Sequence, residues 1–199
     1  MSQSQDETMH KVGDEETVFE GRLIEVVHQA FRQPSGIKQF EYARRAPGTR
    51  IFLLDKDGQV LLAREYRREL GRDDIRVPGG KVFDTLREFR AARATGRAIA
   101  FFAEEAAARE LLEETGYRAH ALEPLGVSPC GATVEWDLHY FLCRDWSAPG
   151  EDFAPSADEN VRSFWSPPSQ VRAMCLDGHI SEERTALRLL RLLGSDTER

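Results

Sequence analysis

Three carboxylates stand close together near the end of one strongly helical segment. Glu110, Glu113 and Glu114 are related by i, i+3 and i+4 spacing, so they project from one face of a helix. Like charges at this spacing repel by about 0.2–0.5 kcal/mol per pair, and the C-terminal end of a helix disfavours negative charge. A bound Mg²⁺ would offset this repulsion, because it takes oxygen ligands from a few carboxylates and from substrate phosphates. The alternative is a solvated acidic helix end.

A glycine loop precedes this segment in the chain, with the sequence Val77-Pro78-Gly79-Gly80-Lys81. Because glycine has no side chain, the loop carbonyls and amides can come close to a metal ion or a phosphate. Loop and carboxylates together indicate a metal-dependent enzyme that acts on phosphates.

The helical segment resembles the second half of the Nudix box, Gx5Ex7REUxEExGU, in which U is a bulky apolar residue. The matching residues are Arg109, Glu110, Leu111, Glu113, Glu114, Gly116 and Tyr117. Arg109 follows Gly80 by 29 positions where the box requires 14, so 15 residues are inserted between loop and helix. The first glutamate of the box falls on Phe101, and Glu88, Glu104 and Glu105 are the alternatives for its role.

Segments on both sides of the box resemble the ADP-ribose pyrophosphatase branch of the Nudix hydrolases. They are residues 19–22, 45–48, 60–67 and 128–131. The resemblance implies an α/β fold, an α/β/α sandwich with a mixed sheet, preceded by extra N-terminal β-strands. It also implies Mg²⁺, with Mn²⁺ as a substitute, and hydrolysis of the pyrophosphate bond of ADP-ribose or a related nucleoside diphosphate sugar. The products would be a nucleoside monophosphate and a sugar phosphate.

Two alternatives to this activity stay open at this stage. One is a Nudix hydrolase of another nucleoside diphosphate derivative or of a nucleoside triphosphate. The other is a non-catalytic Nudix-like module that senses a nucleotide. In each case the partner is a small nucleotide.

The acidic segment supplies the expected metal ligands. Glu110 and Glu114, one helical turn apart, are the leading candidates for metal binding and catalysis, and Glu113 is the next. The Gly79 carbonyl is expected to add a neutral oxygen, as the corresponding loop does in the family. Arg109 is expected to hold the carboxylates in place.

Three further residues are expected to act on the substrate. Glu135, which follows the late loop, would activate or position water or bind a further metal ion; the alternative is a surface glutamate. Arg67 and Arg45 would bind the diphosphate, because a planar guanidinium donates two parallel hydrogen bonds to phosphate oxygens. Arg44, Arg64 and Arg68 are nearby alternatives for that role.

Composition favours one globular domain. The chain has 199 residues, of which 41% are hydrophobic, and it has no apolar run long enough to cross a bilayer. A formal net charge of −7 argues against broad nucleic-acid binding. The three cysteines are odd in number and lack metal-ligand spacing, which favours a reduced, cytoplasmic protein.

The pattern along the chain divides it into three parts. Residues 1–16 are polar and acidic and are expected to form a disordered tail. Residues 17–47 are expected to form the N-terminal strands, which the resemblance assigns to a homodimer interface. Residues 48–195 would form the Nudix domain, with a helical insertion at about 84–101. Within this domain, a helix is expected from about Ala98 to Glu114, and a hairpin is expected to join residues 51–54 to residues 60–63.

Overall fold

The computed structural model describes residues 9–150, 153 and 161–195. Within these ranges the chain forms ten strands and four helices. The strands are β1 (His10–Glu20), β2 (Ile24–Gln33), β3 (Gly36–Arg45), β4 (Gly48–Leu53), β5 (Val60–Arg67), β6 (Arg72–Arg76), β7 (Arg118–Ser128), β8 (Val134–Glu135), β9 (Leu138–Ser147) and β10 (Val161–Ser166). The helices are α1 (Leu86–Ala94), α2 (Ile99–Thr115), α3 (Pro168–Leu176) and α4 (Glu183–Ser195). None of these helices is both long and apolar enough to cross a membrane.

Three sheets organise the strands. The N-terminal sheet has the order β1-β2-β3-β8, and the other two have the orders β10-β5-β6 and β4-β9-β7. Strands β4 and β9 are parallel, whereas β7 and β9 are antiparallel, so the last of these sheets is mixed.

The core lies on both faces of β4 and β9, because successive residues of a strand point to opposite sides. Phe52 and Tyr140 pack in a cluster with residues of α3 and α4. Ile51 and Phe141 pack in a second cluster, with the small buried face of α2. The β10-β5-β6 and β4-β9-β7 sheets therefore lie between α2 on one side and the α3–α4 pair on the other. The predicted α/β/α sandwich with a mixed sheet and extra N-terminal strands is confirmed.

Helix α2 begins and ends close to the predicted positions. It spans Ile99–Thr115, and Gly116 closes it in the left-handed conformation, with its N–H bonded to the Leu112 carbonyl. The inserted segment contributes α1, which Thr85 caps by accepting a hydrogen bond from the Glu88 N–H.

Two expectations differ from the structure. Residues 1–8 of the predicted tail lie outside the described part of the chain, but residues 10–16 form most of strand β1, which pairs with β2 despite its polar sequence. The predicted hairpin contains only an isolated bridge between Leu54 and Val60, after which β4 and β5 enter different sheets. Both strands carry continuous apolar runs, and both bury alternate side chains in the same two core clusters although they pair in different sheets.

Candidate active site

The glycine loop is fixed against the edge of β4 by backbone hydrogen bonds. The Thr49 N–H donates to the Gly80 carbonyl and the Ile51 N–H donates to the Pro78 carbonyl, both at 2.9 Å. Gly79 lies between them with φ +141°, and a Cβ there would overlap the Thr49 carbonyl oxygen. Only glycine fits this position, because the backbone conformation and the close approach both exclude a side chain. No backbone N–H outside the helices and strands of the described residues donates to the Gly79 carbonyl, which stays a predicted metal ligand.

Two of the predicted carboxylates meet this loop. Glu114 accepts a hydrogen bond from the Gly79 N–H at 2.9 Å. Glu110 lies so close to Gly80 that a Cβ on that glycine would overlap the Glu110 carboxylate. Helix α2 and strand β4 thus bring together groups that are about 30 residues apart in the chain.

The position of Glu114 disfavours its negative charge. Burial and the neighbouring charge of Glu110 raise the pKa of Glu114 from its usual 4.5 to about 7, although the Gly79 N–H and the charges of Arg50 and Arg76 oppose this rise. A cation between the two carboxylates would stabilise the ionised form of both.

Glu113 is placed differently from the other two glutamates. Its side chain is 54% exposed, and its carboxylate lies 3.8 Å from Nε of Arg109. Arg109 also pairs with Glu110 at 3.1 Å and donates to the Lys81 carbonyl. In the described ranges no three acidic, histidine or cysteine side chains converge into a complete metal cage.

The donors present nevertheless fit Mg²⁺. Glu110 and Glu114 both contact the glycine loop and are hard oxygen donors, and the Gly79 carbonyl is a further such donor in that loop. Mg²⁺ usually keeps several water ligands and takes only one or two carboxylates together with substrate phosphates. Glu113 remains a predicted ligand.

Arg45 lies next to this centre without an acidic partner. Its guanidinium stacks at 4.4 Å from the centre of the Trp136 ring, and Arg184 lies 4.6 Å from the same ring. Burial and the charge of Arg184 lower the pKa of Arg45. Arg184 is paired with Glu182 at 2.8 Å, whereas Arg45 has no carboxylate within 4 Å in the described part of the chain. Arg45 is therefore an uncompensated cation suited to a phosphate.

Trp136 was missed by the sequence analysis and lies beside the glycine loop. A Cβ on Gly48 would be 3.2 Å from the Gly80 carbonyl oxygen and 3.6 Å from Nε1 of Trp136. That indole N–H is buried and has no hydrogen-bond partner among the described residues. An indole N–H in this state is a donor available to a ligand. No local sequence pattern marks it, because its neighbours come from distant parts of the chain.

Arg67 is already paired with acidic side chains. It contacts Glu65 at 3.1 Å and Glu69 at 2.7 Å, and Glu65 also contacts Arg76 at 2.9 Å. Arg76 is near enough to Glu114 to influence its pKa. Arg67 is therefore linked to Glu114 only indirectly, through Glu65 and Arg76. It stays a predicted substrate ligand.

Arg50 is a second residue that the sequence analysis missed. It is buried in β4, where it donates to the Thr49 carbonyl at 2.8 Å, and burial together with the charge of Arg76 lowers its pKa to about 10. An arginine directly before the apolar run of a buried strand was the available signal. Its charge partly balances that of Glu114 from beneath the loop.

Glu135 lies on β8, opposite Arg44 of β3. Its carboxylate accepts a hydrogen bond from Nε of Arg44 at 2.6 Å and is half exposed. It borders a cavity of about 380 Å³ that Arg45 also lines, together with Phe89 and Arg93 of the inserted helix. Glu135 and Arg45 therefore line one cavity, and Glu110 and Glu114 are not among its lining residues.

The three alternatives for the first glutamate of the box lie away from this centre. Glu88 accepts a hydrogen bond from the Asp84 N–H at the start of α1. Glu104 and Glu105 line a groove between α2 and β7. The structure brings none of them to the glycine loop.

Residues 100–189 match the family model of the NUDIX domain. Over this range the chain is similar to the Nudix family. The match begins inside α2, after the glycine loop and the inserted α1, as expected if the insertion interrupts the box.

Two known proteins are similar to this chain over most of its length. An ADP-ribose pyrophosphatase of Bacillus subtilis (strain 168) is 26% identical over 150 residues, which are 73% of this chain and 72% of that protein. The crystal structure of an ADP compounds hydrolase superposes with a TM-score of 0.62 at 21% identity, covering 94% of this chain and 96% of the other. The second likeness shows that the fold is shared.

Proposed function

We propose that this Nudix-like protein is a Mg²⁺-dependent pyrophosphohydrolase of ADP-ribose or a related nucleoside diphosphate sugar. The observation that carries the proposal is the pairing of Glu110 and Glu114 against the glycine loop, next to the uncompensated Arg45. The similarity to the Bacillus subtilis ADP-ribose pyrophosphatase supports the choice of substrate. Mn²⁺ would replace Mg²⁺, since both prefer oxygen ligands.

The diphosphate is held by cationic and neutral donors in this proposal. Arg45 donates to non-bridging oxygens of the diphosphate, and the unpartnered Nε1–H of Trp136 adds a donor beside the loop. Glu110, Glu114 and the Gly79 carbonyl would hold Mg²⁺, which neutralises diphosphate oxygens and makes a water molecule more acidic.

Glu135 orients the attacking water in this proposal. Its carboxylate is half exposed on the cavity that Arg45 also lines, so it can accept a hydrogen bond from a water molecule there. The part of the substrate beyond the diphosphate occupies the same cavity, whose volume of about 380 Å³ is in the usual range for small-ligand sites.

The direct test is incubation of the purified protein with Mg²⁺ and ADP-ribose, followed by quantification of AMP and the sugar phosphate. Glu114→Gln should lose most turnover, since it removes a charged oxygen ligand and keeps the side-chain shape. Glu104→Gln is the matched control, because Glu104 lies on the same helix but lines a different groove. Binding of ADP-ribose without release of AMP would identify a sensing module instead. A panel of nucleoside triphosphates and other diphosphates would reveal a different substrate.

We also propose that the protein is a homodimer through its N-terminal strands. Val18, Phe19 and Ile24 of β1 and β2, with Ile37 of β3, expose large apolar side chains, and Phe19 is 59% exposed. Val18, Phe19 and Ile24 lie near one end of the β1–β2 pair, and large exposed apolar side chains grouped in this way are typical of a protein–protein interface. Sedimentation equilibrium should give twice the mass of one chain, and a monomer at micromolar concentration would contradict the proposal.

A further inference from the structure

The inserted helix α1 faces the N-terminal sheet with one stripe of side chains. Leu86, Phe89, Arg90 and Arg93 are spaced i, i+3, i+4 and i+7, so they share a helix face. Leu86 is buried, and its N–H donates to the Arg22 carbonyl at 3.1 Å. The insertion is therefore docked on the strands that precede the domain.

Arg90 makes the strongest polar contacts of this stripe. Its guanidinium contacts Glu20 at 2.8 Å and forms a short ion pair with Glu25 of β2. Only 1% of Glu25 is exposed, so its carboxylate has lost nearly all contact with water. A buried carboxylate requires cationic or hydrogen-bonding partners, and losing one of them leaves charge uncompensated.

The second cationic partner of Glu25 is Arg44, at 3.2 Å. Arg44 is itself buried and contacts two other carboxylates, Glu15 at 2.7 Å and Glu135 at 2.6 Å. The Arg44 guanidinium thus forms ion pairs with three carboxylates, and Arg90 partly neutralises the charge of Glu25. The contacts run without a break from the insertion to Glu135.

We propose that the helical insertion positions Glu135 through the chain of ion pairs Arg90–Glu25–Arg44. This inference rests on the proposed hydrolysis, in which Glu135 orients the attacking water. Arg90 is a positioning residue that does not touch substrate. Without it, the uncompensated Glu25 draws the Arg44 guanidinium toward itself, and Arg44 no longer holds the Glu135 carboxylate beside the cavity.

The test compares Arg90→Ala, Arg90→Lys and the control Arg87→Ala, each alone and combined with Glu135→Gln. Arg87 is on the same helix but is exposed on its outer face. We expect Arg90→Ala to lower kcat about ten- to hundredfold with KM changed less than twofold, because misplacement of a reacting group costs turnover more than binding. Arg90→Lys should recover part of the loss, and Arg87→Ala should match wild type.

The combination with Glu135→Gln separates positioning from simple loss of stability. If Arg90 acts through Glu135, Arg90→Ala should cause no further loss of kcat in the Glu135→Gln background. Equal fold-losses of kcat in both backgrounds would overturn the inference, as would wild-type kcat in Arg90→Ala.

Thermal unfolding of the same set gives a readout that does not depend on turnover. The fall in Tm of the double variant should be smaller than the sum of the two single falls, since both substitutions break one network. If the falls in Tm are smaller than additive but the wild-type protein releases no AMP, the proposed function is refuted and the network is supported. If the falls in Tm are additive and the wild-type protein releases AMP, the network is refuted and the proposed function is supported.

Discussion

Glu114 should destabilise the metal-free protein at alkaline pH, so replacing it with glutamine should raise stability while abolishing turnover. Its pKa rises from 4.5 to about 7 in the folded state, mainly because of burial and then because of Glu110. A group with a raised folded pKa contributes stability that is full below its unfolded pKa and is lost as the pH rises through the folded pKa. Above pH 7 the folded state therefore holds an unfavourable charge.

The magnitude follows from the size of the rise. Each unit of pKa difference corresponds to about 1.4 kcal/mol, so the difference between 4.5 and about 7 sets an upper limit of about 3.5 kcal/mol. Since the carboxylate keeps partial contact with water, we expect Glu114→Gln to gain about 1–3 kcal/mol at pH 8. For a chain of this size that is an increase in Tm of about 2–12 °C. The glutamine carbonyl can still accept the Gly79 N–H hydrogen bond.

The assay is thermal or urea unfolding in EDTA at pH 8 and at pH 5. The advantage of Glu114→Gln should be largest at pH 8 and mostly disappear at pH 5, where folded Glu114 is protonated. Adding Mg²⁺ at pH 8 should reverse the order, because the ion stabilises the wild type by binding the folded state. Glu113→Gln is the matched control: its side chain is 54% exposed, so little change in EDTA is expected. A Glu114→Gln variant that is less stable than wild type at both pH values would refute the reasoning.

Three further predictions concern the loop and its neighbours. Gly79→Ala should lower Tm by several degrees, because its Cβ meets the backbone of β4. Gly80→Ala should lower Tm less but lose turnover, because its Cβ displaces the flexible end of Glu110. Equal falls in Tm in the two variants would contradict this prediction. Arg45→Ala should raise KM about tenfold or more with a small change in Tm, because it removes a charge-assisted contact to phosphate. An unchanged KM in steady-state kinetics would exclude this contact. The apparent affinity for Mg²⁺ should fall up to tenfold for each pH unit below 7, because protons compete with the metal ion for Glu114, and a pH-independent titration by calorimetry would argue against that ligand.

Local sequence patterns predicted the parts of the site that are continuous in the chain. The alanine-rich run and the closing glycine placed α2 to within two residues, and the spacing of its glutamates put Glu110 and Glu114 on one face. The glycine pair predicted a tight loop because few other residues could occupy it.

Contacts between distant segments could not be predicted in this way. Trp136 and Arg50 reach the site through sheet pairing and strand burial that no short motif encodes. The polar residues 10–16 form a strand because β2 offers a pairing edge and because Glu15 completes the ion pairs of Arg44. Hydrophobic periodicity in the sequence indicates neither the pairing with β2 nor these ion pairs.

The anchoring of the glycine loop has a consequence for how the Nudix box can vary. Strand β4 holds residues 78–80 in place through Thr49 and Ile51, so the loop does not depend on a fixed tether to the catalytic helix. The connecting chain can therefore be longer without separating the loop from Glu110 and Glu114, and here it includes a helix with contacts of its own. Relatives with still longer or shorter connections would keep the same chemistry, although a search that requires constant spacing would overlook them.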